Sequence, residues 1–324
     1  MFVSQPPLLK LQWIVLASFL SSSAAVEGKA KPGCQRSCGN HTVDYPFGIG
    51  EGCYMQGFEI RCNTSYNPPK PFLDLGDSKH EVVNTSVAQN QVRIRNTVAS
   101  AKGFNETGDP ILSSASINLS NTPFIFNNTA NKFTVTGCNS FGILQLRDGE
   151  VLTGCYSVCN NKREGVIDGS CSGLGCCQTS ILKGVKKIET AIQNILYDSM
   201  IKDLYNESQV STLYHCGYAF LMDQESYTFE ASDLDHCFSS KIEQSWVVLD
   251  WVIGDQTCKE AKKSSDTYAC QGKNSRCLEY ESDNRQGYRC SCKQGCEGNP
   301  YLSTGCQGLY LPQNSLSLLL LELT

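Results

Sequence analysis

The chain has 324 residues, with 27 Lys and Arg against 32 Asp and Glu, and a net charge of −5. That balance supplies no basic field for a nucleic acid and excludes this class of partner. Hydrophobic residues make up 40% of the chain, but they come in short runs broken by Gly, Pro, Asn and Ser, so small, stapled, mainly β cores in two or three domains are expected.

At the N-terminus, Lys10 precedes an apolar stretch from Leu11 to Leu20 and small residues through Ala25. This is the pattern of a secretory signal peptide, 1–25, with cleavage expected after Ser23-Ala24-Ala25. The apolar run is roughly half of the ~20 residues that a membrane helix needs. Nineteen cysteines agree with an oxidising compartment, where they read as a disulfide framework. Seven Asn-x-Ser/Thr sequons, at Asn40, Asn63, Asn84, Asn105, Asn118, Asn127 and Asn206, are candidate N-glycosylation sites and point the same way.

From Cys34 to about Gly137 the pattern is β-like. In Gln91 to Asn96, Val92 and Ile94 alternate with Arg93 and Arg95, so period two puts both arginines on one strand face about 7 Å apart. Phe124 to Phe126 and Phe133 to Val135 are further short strands. YPFGIGEGC at 45–53 is glycine-rich but lacks a phosphate-loop lysine, and reads as a turn-rich loop stapled by Cys53.

The segment from Cys138 to about Gly254 holds eight cysteines, among them the adjacent Cys176 and Cys177 in GSCSGLGCCQ. Neighbours on a strand face opposite ways, so each of the two is expected to staple a different partner. Lys187 to Leu204 fits helix and strand periodicities, and strand is expected for its first half, with Tyr218 to Met222 and Tyr227 to Phe229 continuing a sheet.

Six cysteines, Cys258, Cys270, Cys277, Cys290, Cys292 and Cys306, make a module too small for its own apolar core and dependent on cross-links. Spacing alone allows fifteen pairings. A zinc site is disfavoured, because histidine is missing and the spacing is poor. Their order, with a Cys-x-Cys pair before the last loop, resembles EGF-like modules. That resemblance implies Cys258 with Cys277, Cys270 with Cys290 and Cys292 with Cys306. Asp255, Gln256 and Asp283 are oxygen ligands of the calcium-binding kind, but no acidic pair directly precedes Cys258 and the loop from Cys277 to Cys290 is long, so a non-calcium module is expected. Removing the six leaves an odd number of cysteines, so one is left without an intrachain partner, and Cys296 in the last loop is the candidate.

No catalytic constellation emerges. The histidines are His41, His80, His215 and His236, no Gly-x-Ser-x-Gly elbow occurs, and Asp233 and Asp235 read as loop acids and not as a hydrolase pair. Neither a cofactor nor a metal is expected.

Five segments then resemble the ectodomain of the plant wall-associated receptor kinases: CQRSCGNHTVDYPFGIGEGCYMQGFEIRC at 34–62, GCCQTSI at 175–181, HCGYAFLM at 215–222, WVVLDWVIGDQTC at 246–258 and GYRCSCKQGCEGNPYLSTGC at 287–306. The resemblance implies small disulfide-rich β domains in tandem: a galacturonan-binding domain at 26–137, an associated cysteine-rich domain at 138–254 and the EGF-like module at 255–308, followed by a divergent tail at 309–324. It also implies an extracellular, cell-wall location and binding of pectin or oligogalacturonides without turnover. The kinase and membrane helix of the family are absent after Gln307, so a soluble or truncated ectodomain is expected, with no transmembrane helix in the mature chain.

Between Val26 and Gly137, ten Lys or Arg face nine Asp or Glu, so a polyanion requires a local cationic patch. Arg93 and Arg95 are the leading candidates, with Arg61, Lys70 and Lys79 as helpers and Tyr45, Phe47 and Tyr54 as stacking surfaces. The alternative is a protein-interaction ectodomain that binds a peptide or co-receptor through its EGF and cysteine-rich regions.

Overall fold

The computed structural model describes residues 29–308 except 77, 106–109, 147–148, 160–163, 195–215, 236–239 and 283–284. The signal peptide, the tail at 309–324, Asn206, His215, His236, Asp283 and the second half of the 187–204 stretch lie outside the described residues.

The fold is mainly β and rich in disulfides. An antiparallel six-stranded sheet has the order Phe124–Phe126, Trp246–Trp251, Gln91–Arg95, Ser78–Ser86, Lys70–Leu75 and Ile60–Asn63. Alternation builds it: Leu73 and Leu75, Val82, and Val92 and Ile94 are buried on its inner face, while the residues between them stay on the outer one. Asn90 turns the chain between two of these strands at a φ of 56°, a left-handed value that Asn tolerates well.

Two further sheets stand beside it. One orders Cys176–Ser180, Asn131–Thr136, Gly217–Asp223, Ala99–Phe104 and Pro110–Ser113. The other orders Val151–Ser157, Ser140–Gln145, Lys187–Asn194 and Ala115–Asn118. Lys187–Asn194 is thus a strand, whereas Tyr227 and Phe229 lie in irregular chain and are buried there. That expectation is corrected: these aromatics fill a core from a loop, which their apolar character alone does not distinguish from a strand.

The sheets cross the 137/138 position. Ala99–Phe104 pairs with Gly217–Asp223, Ala115–Asn118 with Lys187–Asn194, and Trp246–Trp251 lies between Phe124–Phe126 and Gln91–Arg95. One buried apolar cluster accordingly runs from Val43 to Tyr301. Strands from both segments supply the walls of this cluster, and two smaller buried clusters stand beside it. Its centre is aromatic: Phe47 meets Phe58 at 5.2 Å and Trp251 at 5.3 Å, and Phe58 meets Phe124 at 5.4 Å. Truncating one such ring to Ala costs about 3–5 kcal/mol.

Disulfides close the loops that the sheets leave open. Cys34 is bonded to Cys53 and Cys38 to Cys62, holding the glycine-rich loop. Cys138 pairs with Cys159, Cys155 with Cys177 and Cys171 with Cys176, so the adjacent cysteines do staple different partners. Cys216 is also disulfide-bonded.

The last module is a hairpin of Ser275–Ser282 with Arg285–Cys292, followed by a small one of Cys296–Gly298 with Cys306–Gly308. Its bridges are Cys258–Cys277, Cys270–Cys290 and Cys292–Cys306, and Cys296 is a free, half-buried thiol. The module docks on the end of the six-stranded sheet. The Tyr301 hydroxyl accepts from Trp251 Nε1 at 2.9 Å and from the Cys290 amide at 3.2 Å, and donates to Asn90 Oδ1. Burial pushes this phenol up to about 12, so it keeps the proton it donates. Arg289 pairs with Asp250 at 3.1 Å. Gly287 packs where a Cβ would lie 2.9 Å from the carbonyl oxygens of Ile253 and Gly254, so glycine is required for this approach.

Candidate functional site

The outer face of the six-stranded sheet carries most of the expected binding residues, and the strand register sorts them into rows. One row holds Asn63 opposite Lys70, and farther across the sheet, past a bulge at Val82/Asn84, Asn84 stands opposite Arg93. The next has Arg61 opposite Phe72, and Phe72 opposite Glu81. A third has Asp74 opposite Lys79. Adjacent strands are about 4.8 Å apart, so this is a compact mosaic of charge with aromatic carbon inside it.

Arg93 and Arg95 do share the outer face, but they are not open cations. Arg93 Nε lies 3.4 Å from Asp223 Oδ2, with side chains 17% and 4% exposed. The same carboxylate oxygen accepts from Trp246 Nε1 at 3.0 Å, and the Arg93 guanidinium also faces Glu225 at 4.0 Å. Arg95 donates to the Gln244 carbonyl and pairs with Glu81 at 3.8 Å. The leading role assigned to Arg93 is therefore corrected: its charge is neutralised in the seam between two sheets, and freeing it for a ligand would strand a buried carboxylate.

The three helpers are more accessible. Arg61, 52% exposed, pairs with Asp74 at 2.9 Å and Glu59 at 3.8 Å. Lys70 pairs with Glu81 at 2.9 Å, and Lys79 is exposed with no ion pair among the described residues. Exposed pairs of this kind contribute about 0–1 kcal/mol, so exchanging Asp74 for a ligand carboxylate costs Arg61 little.

Among the expected stacking rings, Phe47 is 1% exposed inside the aromatic core and is corrected from surface to core. The loop that carries it folds over the sheet and points the ring inward. Tyr45 and Tyr54 are half-buried against the same core. The exposed ring on this face is instead Tyr66, 44% exposed, which packs beside the half-buried Phe72. Their centroids lie 6.0 Å apart with planes 32° apart, and Lys70 Nζ sits 5.1 Å over Tyr66. Sequence reasoning passed over both, although Tyr66 lies in NTSYNPPK, whose turn chemistry marks an exposed loop.

Of the sequons, Asn40, Asn63, Asn84 and Asn105 are exposed and Asn118 is half-buried. Asn127 is a correction. It is buried, its Nδ2 donates to Asp250 at 2.9 Å, and its Oδ1 accepts from Thr129 and Ala130, so the amide that a glycan would occupy is used inside the fold.

The remaining titratable candidates are structural. His80 is buried with Nε2 2.8 Å from Ser78 Oγ, and burial lowers its pKa. Asp233 accepts from the Tyr227 hydroxyl at 2.8 Å and the Glu230 amide at 2.9 Å, bonds within the local fold. Asp235 is exposed. A cleft of about 490 Å³ lies between residues 29–36 and the last loop, lined by Lys29, Arg36, Glu297 and Asn299. The Asn299 amide is already used on the carbonyls of Lys29 and Tyr45.

These features define a disulfide-stapled, mainly β protein with a mixed-charge sheet face, and the family model "Wall-associated receptor kinase galacturonan-binding" matches residues 34–96, the stretch that contains Arg61, Tyr66, Lys70, Phe72 and Lys79. The chain is 33% identical over 311 residues to wall-associated receptor kinase 2 of Arabidopsis thaliana, covering 92% of this chain and 37% of that protein. It is 31% identical to wall-associated receptor kinase 1 of the same plant, covering 89% of this chain and 36% of the relative. The chain belongs to the wall-associated receptor kinase family, and it matches the ectodomain portion of these relatives, well under half their length. No solved structure matches. Among the described residues no helix is long and apolar enough to cross a membrane.

Proposed function

We propose that this ectodomain binds pectic galacturonan without turnover, through the outer face of the six-stranded sheet. The observation that carries the reading is the exposed Tyr66 ring against half-buried Phe72, flanked by Arg61, Lys70 and Lys79, inside the residues matched by the galacturonan-binding family model. The negative face of an aromatic ring suits the C–H bonds on one side of a pyranose, and Arg61 can take a uronate carboxylate in a forked pair. Glu59, Asp74 and Glu81 on the same face repel an anion wherever a cation does not neutralise them.

The test is titration of the secreted protein with de-esterified oligogalacturonides over a salt series. The Tyr66→Ala/Lys79→Ala variant is expected to bind about tenfold more weakly, a loss of about 1.4 kcal/mol, and wild-type binding is expected to weaken as salt shortens the screening length below about 10 Å. An unaltered affinity in that variant overturns this placement. Saturable binding of a peptide to the 258–308 module, with none to the oligosaccharide, would favour the protein-interaction reading.

A further inference from the structure

We propose that Asn63 carries an N-glycan whose first sugar seats on the Tyr66–Phe72 platform and gates it against polyuronide. The gating rests on the function proposed above; the seating does not.

Four observations carry the proposal. Asn63 lies on the edge strand Ile60–Asn63, exposed, on the same face as Arg61 two residues earlier. Its Oδ1 accepts from the Ser65 amide at 2.9 Å, which fixes the amide plane and leaves Nδ2 without a partner among the described residues. Directly opposite in the ladder is Lys70, whose Nζ stands 5.1 Å over the Tyr66 ring. Tyr66 follows Asn63 by three residues and keeps 44% of its surface exposed. A substituent on Nδ2 therefore emerges about one strand spacing from the platform.

The contrast with Asn127 sharpens the choice. Asn127 is itself buried and its Nδ2 donates to Asp250, so a sugar would break a bond that the fold uses. At Asn63 the Nδ2 makes no such bond among the described residues. Asn84 is also exposed, but its row neighbour is Arg93, held by Asp223.

Attachment needs a lipid-pyrophosphate-linked oligosaccharide donor. The Asn63 Nδ2 forms a bond to the sugar C1, the C1–oxygen bond to pyrophosphate breaks, and the lipid pyrophosphate departs with one Nδ2 proton lost to solvent. Once attached, the N-acetylglucosamine ring is neutral and offers C–H groups and an acetyl methyl to Tyr66. A uronate chain seeking the same ring then competes with a covalently tethered sugar of high effective concentration.

The experiment uses the full secreted chain from a glycosylating host. Peptide mapping reads occupancy at Asn63, and NMR reads the acetyl methyl of its first sugar. Oligogalacturonide affinity is compared for wild type, Asn63→Gln and Ser65→Ala, the last removing the sequon without touching Asn63. The expected result is an occupied Asn63, a methyl shifted upfield by the ring and restored in Tyr66→Ala, and about tenfold tighter binding in both sequon variants. An unoccupied Asn63, or an unshifted methyl, overturns the seating. A shifted methyl with equal affinity in all three proteins overturns the gating. A shifted methyl with no oligogalacturonide binding by any of them overturns both the gating and the proposed function while supporting the seating.

Discussion

Arg93 and Arg61 show how far the same residue type can differ in role on one sheet face. Arg93 is 17% exposed against an Asp223 that is 4% exposed, so removing it leaves a buried carboxylate with, among the described residues, Trp246 and the Glu225 amide as donors. Arg93→Ala is expected to lower stability by about 3–5 kcal/mol, read from urea unfolding, whereas Arg61→Ala should change it by under about 1 kcal/mol. His80 supplies a pH dependence of known sign. Unfolded, its imidazole takes a proton near 6.5, whereas burial holds the folded one neutral to lower pH. The unfolded state then binds more protons below about 6.5, so this contribution is complete above that value and is lost as the pH falls. His80→Gln should flatten the decline of the urea midpoint between about pH 6.5 and 5. The alternation of Val92 and Ile94 with the two arginines was legible in the sequence, but the arginines' neutralisation was not, because Asp223 lies 130 residues away and no local period encodes such a partner.

At the scale of elements, Trp246–Trp251 decides most. It enters the six-stranded sheet between strands from the first half of the chain, and its Trp251 closes the aromatic core while holding Tyr301. Tyr301→Phe keeps the ring but removes the hydroxyl that serves Trp251, Cys290 and Asn90. Each buried donor so stranded costs about 1–3 kcal/mol, and hydrogen exchange at Cys290 and Trp251 is expected to quicken with all three bridges of the module intact. The cysteine-dense character of this last module was legible from spacing, but its docking was not. The contact depends on Gly287, Arg289 and Tyr301 meeting residues 250–254 at and just past the end of that strand, and no local period encodes those partners. Lys187–Asn194 was readable as a strand because its alternation agrees with its neighbours, whereas Tyr227 and Phe229 show that buried aromatic residues need no ladder.

At the scale of the whole molecule, strand exchange across residue 137 ties the two cysteine-rich segments into one apolar cluster. A fragment of 26–137 would lose the neighbour of Gln91–Arg95, the strand partner of Phe124–Phe126 and Trp251 from its core. It is expected to show no cooperative thermal transition by circular dichroism, whereas the chain through 308 shows one. A sharp transition in the fragment would mean that the galacturonan-binding segment is an independent domain after all. The cleft between Lys29, Arg36 and Gln307, with Asn299 bonded to the carbonyls of Lys29 and Tyr45, brings residues from both ends of the described body to one corner. A pull between residues 29 and 308 is expected to load the Asn299 contacts with Lys29 and Tyr45 at this corner. Such traction is expected to open the corner clamp before it shears the strands of the sheet, which single-molecule stretching would show as two successive yield events.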